Sequence, residues 1–293
     1  MLFGTLEAGG TKMVLSVGNM QNELLEQISI PTETPEKTIP DMIVWFRDKR
    51  IAALGIGTFG PVDLDPASST YGWITKTPKP GWCDTPLLPP LQDALGVPAR
   101  IDTDVNAAAL AEWKLGAAKG LKSCLYVTVG TGVGAGIVSE GWLVHGLMHP
   151  ELGHMLLRQE PDDPAPDGFC PYHQGCLEGL ASGPSIAKRW GASAQELPAD
   201  HEAWKLEANY LAQMCMNAIC SFSPEKIILG GGVMQQKHHF PMIRQKTLKL
   251  LNGYVQAKEI LEHIDTYIVE PGLGTKSGAT GALLLARAAY DEA

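Results

Sequence analysis

Two glycine-rich hairpins constrain this chain more than any other feature. Near residue 10, LFGTLEAGGTKMVLSVGN reads as strand, tight turn, strand, with a third short strand at LLEQISIPT. Near residue 130, SCLYVTVGTGVGAGIVSEGWLVHG repeats that order. Paired glycines let backbone amides approach an anion with no Cβ in the way, so Gly9 and Gly10, with the Thr11 hydroxyl and the Lys12 ammonium, form a candidate phosphate turn. In the second hairpin Gly130, Gly132, Gly134 and Gly136 alternate with small residues, and Thr128 and Thr131 add hydroxyls. One such hairpin is an ordinary turn. Two, each heading one half of the chain, imply a duplicated architecture of two lobes that share one nucleotide.

The first hairpin is not a Walker A loop, because Gly10 stands where G-x-x-x-x-G-K-[ST] needs lysine. Gly55, Gly57 and Gly60 formally spell G-x-G-x-x-G, but Pro61 follows at once and no helix opens there. The expectation is a turn that lets a small ligand close to the backbone.

The stretch from Glu151 to Gly179 carries a second kind of chemistry. Cys170, His173 and Cys176 read C-x-x-H-x-x-C, with His154 upstream. Two thiolates and two imidazoles suit a closed, tetrahedral and structural zinc site. His145 and His149 are rival fourth ligands at this level of reading. Three prolines in PDDPAPDGF exclude a helix or a central strand, so the loop needs another staple, and metal ligation supplies one. Glu151 and Glu178 flank the ligands, so closing the site would draw two carboxylates, suited to hydroxyl recognition, toward one place.

Elsewhere the periodicity alternates between strands and helices. PEKTIPDMIVWFRDKR is an amphipathic helix and IAALGIGTFG a buried strand. Residues 68–90, rich in Pro, Gly, Trp and Thr, fit either a functional lid or a surface loop packed by its own tryptophans. In VPARIDTDVNAAALAEWKLGAAKG a short strand breaks into an Ala-rich helix at Asp104, with Asn106 at or near the N-cap. A carboxylate at such a break can act as a base toward a substrate hydroxyl. LASGPSIAKRW is a helix broken at Gly183-Pro184, HEAWKLEANYLAQMCMNAICSFS a long helix, and PEKIILGGGVMQ a buried strand ending in three glycines. A helix over KHHFPMIRQKTLKLLNGY, a last strand and a terminal helix complete the chain.

The net charge of −9 comes without a basic run, which argues against nucleic-acid and membrane-surface partners. The N-terminal MLFGTLEAGGTK has no basic start, and Glu7 interrupts its apolar run, unlike a secretory signal. A cytoplasmic protein is expected, with Cys83, Cys124, Cys215 and Cys220 reduced.

With these residues in hand the chain resembles the ROK family (repressor, open reading frame, kinase), and most closely its zinc-containing fructokinase branch. The carrying motifs are EAGGTK at 7–12, FGPVD at 59–63, DTDVNAAALAE at 102–112, TVGTGVGAG at 128–136, HPELGH at 149–154, CPYHQGCLEGLASGP at 170–184 and LGGGVM at 229–234. The resemblance implies an α/β, actin-like ATPase (ribonuclease H-like) fold: two lobes, each with a mixed five-stranded sheet flanked by helices. The expected bounds are a small lobe over 1–107, a large lobe over 108–275 and a terminal helix over 276–293.

The same resemblance implies Asp104 as general base. It places ATP at Gly9, Gly10, Thr11, Lys12, Thr131, Gly132 and Gly134, with Pro184, Gly231 and Gly232 at the adenosine. Sugar would meet Gly60, Pro61, Thr103, Glu151, His154 and Glu178. Zinc would sit on His154, Cys170, His173 and Cys176, so that His154 would serve metal and sugar through opposite ring edges. ATP, Mg²⁺, a structural Zn²⁺, a hexose (fructose favoured) and a homodimer follow. Thr103 stands where many members have Asn, Glu7 where many have Asp, and the metal motif contains histidine. These departures match the fructokinase branch. The rivals are a glucose or mannose kinase and a sugar-responsive repressor, which would carry a helix-turn-helix ahead of Glu7.

Overall fold

The computed structural model describes residues 1–293, which divide into two compact units. The first comprises Met1–Lys114, Leu143–Pro150 and Lys276–Ala293, and the second Leu115–Trp142 and Glu151–Thr275. No helix is long and apolar enough to cross a membrane.

In the first unit β1 (Phe3–Ala8), β2 (Lys12–Gly18) and β3 (Leu24–Pro31) form an antiparallel meander. Helix α1 (Pro35–Arg47) then crosses to β4 (Leu54–Thr58), which lies parallel to β1. Helix α1 starts at Pro35, where the missing N–H costs nothing, and buries Ile39, Met42 and Phe46 at helical spacing. The small hairpin β5 (Trp73–Ile74) and β6 (Thr85–Pro86), helix α2 (Leu88–Leu95) and β7 (Ala99–Thr103) follow, then α3 (Asp104–Lys114). The sheet order is β3-β2-β1-β4-β7, with β7 parallel to β4.

The glycines of β4 have a structural purpose that the sequence reading assigned to a ligand turn. Gly55 lies mid-strand, and a Cβ there would fall 1.9 Å from the Ala282 carbonyl oxygen of the terminal helix Ser277–Asp291. A Cβ on Gly57 would sit 3.1 Å from Ala107 Cβ and 3.3 Å from Asp104 Cα. Both glycines therefore admit helices against the strand, as interior strand glycines often do. The segment over 68–90 takes its packed-loop alternative: Trp82 is fully buried, and its Nε1 donates to the Glu33 carbonyl at 2.8 Å.

The second unit repeats the scheme. β8 (Cys124–Val129) and β9 (Val133–Ser139) are antiparallel, β10 (Trp142–Leu143) pairs next to β9, and β11 (Ile227–Gly230) and β12 (Ile268–Val269) extend the sheet in parallel. The order β10-β9-β8-β11-β12 matches that of the first sheet, so the duplication read from the two hairpins extends to whole sheets. Helices α4 (Leu177–Ala181), α5 (Gly183–Trp190), α6 (Ala203–Phe222) and α7 (His239–Leu251) accompany it. Helix α6 buries Trp204, Tyr210, Met214 and Cys215, whereas Cys220 on the same helix faces solvent.

Candidate active site

Each unit carries its own set of candidate groups. In the first, the turn between β1 and β2 is closed by Gly9 N donating to the Lys12 carbonyl at 3.0 Å. The end of β3 braces it: Thr32 Oγ1 donates to Gly9 O at 2.7 Å and Thr32 N to Thr11 O at 3.0 Å. A Cβ on Gly9 would fall 2.7 Å from Lys12 O, while Gly10 meets only open space. The turn thus presents exposed Gly10, Thr11 and Lys12 on a rigid base. Burial raises the Glu7 carboxyl above the usual carboxylate range, partly opposed by Lys12.

Asp104 opens α3 directly from β7, and its half-buried carboxylate accepts from Val105 N at 2.8 Å. The capping hydroxyl belongs to Thr103, whose Oγ1 accepts from Asn106 N at 3.1 Å. Asn106, expected at or near the cap, lies inside the first turn and donates through Nδ2 to Asp102 Oδ1 at 2.7 Å. Asp102 is buried, and its other oxygen, Oδ2, lies 2.9 Å from His145 Nε2. This bond is the main reason the His145 imidazolium is favoured, against an opposing burial effect.

Leu143–Pro150 packs with the first unit, although its sequence neighbours belong to the second. Its histidines dock at two points: His145 on Asp102, and buried His149 on the backbone just after Gly60–Pro61, where His149 Nε2 accepts from Val62 N at 3.2 Å. Burial holds His149 below the ordinary histidine value. The two rival metal ligands are therefore engaged elsewhere.

In the second unit, the turn between β8 and β9 is closed by Gly130 N donating to Gly132 O at 2.9 Å. Two other glycine motifs crowd onto it. Gly183 N donates to Gly130 O at 2.8 Å, and Gly231, at φ 93°, comes so close that a Cβ would lie 2.4 Å from Val129 O. Gly130–Gly132, Gly183–Pro184 and Gly231–Gly232, separate in sequence, thus converge on one spot. Beside it is a cavity of ≈ 110 Å³ lined by Thr131, Cys170, Glu178, Pro184, Ser185 and Lys188.

His154, Cys170, His173 and Cys176 form a group whose ligand atoms all lie within 4.8 Å of one another. Cys170 Sγ is 3.8 Å from His154 Nδ1 and 3.8 Å from His173 Nδ1, and Cys176 Sγ is 3.9 Å from His154 Nδ1. A tetrahedral zinc spaces its sulfur and nitrogen ligand atoms by roughly 3.3–3.8 Å, so the donor set fits that ion in kind, with its shortest sulfur–nitrogen separations at the upper edge of that range. Cys176 caps α4, placing Glu178 in that helix's first turn. Crowding by protein first, and the Glu178 charge second, lift the solvent-open Glu151 carboxyl to about 7.

The loop has a staple that needs no metal. Asp163 Oδ1 accepts from Arg189 Nε at 2.8 Å and its Oδ2 from Tyr210 Oη at 2.6 Å, both deep in the unit. Arg189 also donates through Nη1 to Leu180 O at 2.8 Å. Sequence reasoning missed Asp163 because PDDPAP looks like any solvated polar loop. It missed Lys188 and the Asp102–His145 pair because nothing in their spacing ties them to a ligand.

Comparison with known proteins follows the geometry. The ROK family profile matches residues 3–289. A fructokinase of Pediococcus pentosaceus is 46% identical over 100% of both chains. A fructokinase of Zymomonas mobilis is 43% identical, covering 99% of this chain and 98% of its own. Among solved structures, a ROK hexokinase from Thermus thermophilus superposes with a TM-score of 0.79 at 29% identity, covering 100% of both chains.

Proposed function

We propose, from the premise that the chain belongs to the ROK family and has its actin-like ATPase fold, that it is an ATP-dependent fructokinase phosphorylating the 6-hydroxyl of D-fructose. The observation that carries this reading is the convergence of three glycine motifs on the turn between β8 and β9, in a chain similar along its full length to fructokinases. Small residues at all three points leave backbone amides free to approach a polyphosphate.

In phosphoryl transfer through a loose transition state the protein mainly positions groups and stabilises charge. Gly9–Lys12 and Thr131–Gly134 would hold the phosphates, with Mg²⁺ accompanying ATP, and Pro184, Gly231 and Gly232 the adenosine. Asp104 would orient the hydroxyl and take its proton as oxygen attacks the γ-phosphorus and ADP leaves. Gly60, Pro61, Thr103, Glu151, His154 and Glu178 would bind the sugar. Zinc on His154, Cys170, His173 and Cys176 would supply structural cross-linking. His154 offers Nδ1 to that group, which leaves Nε2 for a sugar hydroxyl. A cytoplasmic homodimer completes the reading.

An ADP-coupled assay across fructose, glucose and mannose tests it. The expected result is the highest kcat/KM with fructose. Preference for glucose or mannose would replace the substrate, and absence of ATP-dependent transfer to any hexose would end the reading.

A further inference from the structure

Glu178 Oε2 accepts from the backbone N–H of Val133 at 2.9 Å. Val133 is the first residue of β9, so this bond ends the second glycine turn. The contact is built from both sides: a Cβ on Gly132 would fall 2.6 Å from the same oxygen, so glycine at 132 is what lets the carboxylate in. Glu178 in turn sits two residues beyond Cys176, whose Sγ caps α4 by accepting from Gly179 N at 3.4 Å. One side chain thus spans from the cysteine–histidine loop to the glycine turn.

We propose that Glu178, besides any contact with sugar, is a positioning residue for the nucleotide. Its carboxylate fixes the Val133 amide and thereby holds the Thr131–Gly132 backbone in the conformation that receives a phosphate group. The inference rests on the proposed function and deepens it. The near end of the turn is held at Gly130 by its closing bond to Gly132 O and by Gly183 N, and at the far end the Val133 N–H has the Glu178 carboxylate as its acceptor. A charged acceptor makes the stronger class of hydrogen bond.

The test is calorimetric titration of the zinc-loaded full chain with Mg²⁺ and a non-hydrolysable ATP analogue, without hexose. Glu178→Ala removes the acceptor and should weaken binding about tenfold, the scale of one lost charge-assisted hydrogen bond. Glu178→Gln keeps an oxygen for the Val133 amide and should stay within about threefold of the parent. Gly132→Ala displaces the carboxylate from the turn side with Glu178 intact, and remains informative should Glu178→Ala not fold. It too should weaken binding about tenfold, and the double variant should be no worse than either single one. A residue that only touches sugar would leave nucleotide affinity unmoved in both Glu178 variants, and that result overturns the proposal. Tighter binding in Glu178→Ala, or additive losses in the double variant, overturns it as well. If the parent chain binds no nucleotide, the proposed function itself falls and takes this inference with it; the two failures differ in whether they appear in the parent or only in the variants.

Discussion

His145 Nε2 lies 2.9 Å from Asp102 Oδ2, and Asp102 in turn holds Asn106 in the first turn of the helix that Asp104 opens. A residue just after β10 therefore braces, through Asp102, the first turn of the helix that carries the candidate base.

That pair sets a pH dependence. The Asp102 hydrogen bond raises the folded-state pKa of His145 above its ordinary 6.5. A raised histidine contributes stability that is complete below the unfolded value and is lost as pH climbs through the folded one. The melting-temperature gap between the parent and His145→Gln should be widest in mildly acidic buffer and shrink above neutrality. A gap that stays constant from about pH 5 to pH 9 would remove the charged pair from the account.

Asp104→Asn should keep the fold and nucleotide binding, since the Oδ1 bond to Val105 N survives as an amide acceptor. Its kcat should fall about 10²–10⁴-fold, the usual contribution of a general base. Steady-state kinetics with fructose measures this, and a kcat near the parent's would falsify the assignment.

Cys176→Ser removes a buried sulfur from the four-residue candidate ligand group. Loss of a direct ligand should exceed the roughly 10–100-fold drop in metal affinity that outer contacts cost. Bound zinc, counted by atomic absorption after dialysis, should fall and the hexose KM should rise. Full zinc occupancy with an unchanged KM would mean that the ion, if bound, sits elsewhere.

Asp163→Ala takes the carboxylate acceptor away from buried Arg189 Nε and from the Tyr210 hydroxyl proton, leaving Arg189 only its hydrogen bond to Leu180 O. Breaking a buried pair from one side typically costs about 3–5 kcal/mol. Denaturant unfolding should show a loss of that order, and limited proteolysis should cut within residues 160–168 first. Stability within about 0.5 kcal/mol of the parent, the range of ordinary surface changes, would show that zinc alone holds the loop.

The strands and helices follow the hydrophobic periods closely, because burial of one face is a local property of spacing. The helix break at Gly183-Pro184 and the helix at 35–47 are examples. The Asn106 cap was misplaced by a few residues for a local reason: Thr103, Asp104 and Asn106 are all good capping residues, and only backbone geometry picks Thr103. Gly55 and Gly57 were misread for a non-local one. What excludes a side chain there is a helix more than 170 residues downstream for Gly55, and the start of α3 for Gly57.

The sequence by itself determined the duplicated α/β plan, the C-x-x-H-x-x-C candidate ligands and the glycine motifs, since each depends on residue type and short spacing. Tertiary structure alone decided that Gly132 makes room for Glu178, that Asp163 is clamped inside the protein, and that His145 and His149 pack with the first unit. The physical reason is the same in each case. Hydrogen bonds and steric exclusion act over a few ångströms in space, and distance along the chain carries no information about which distant atom will fill that range.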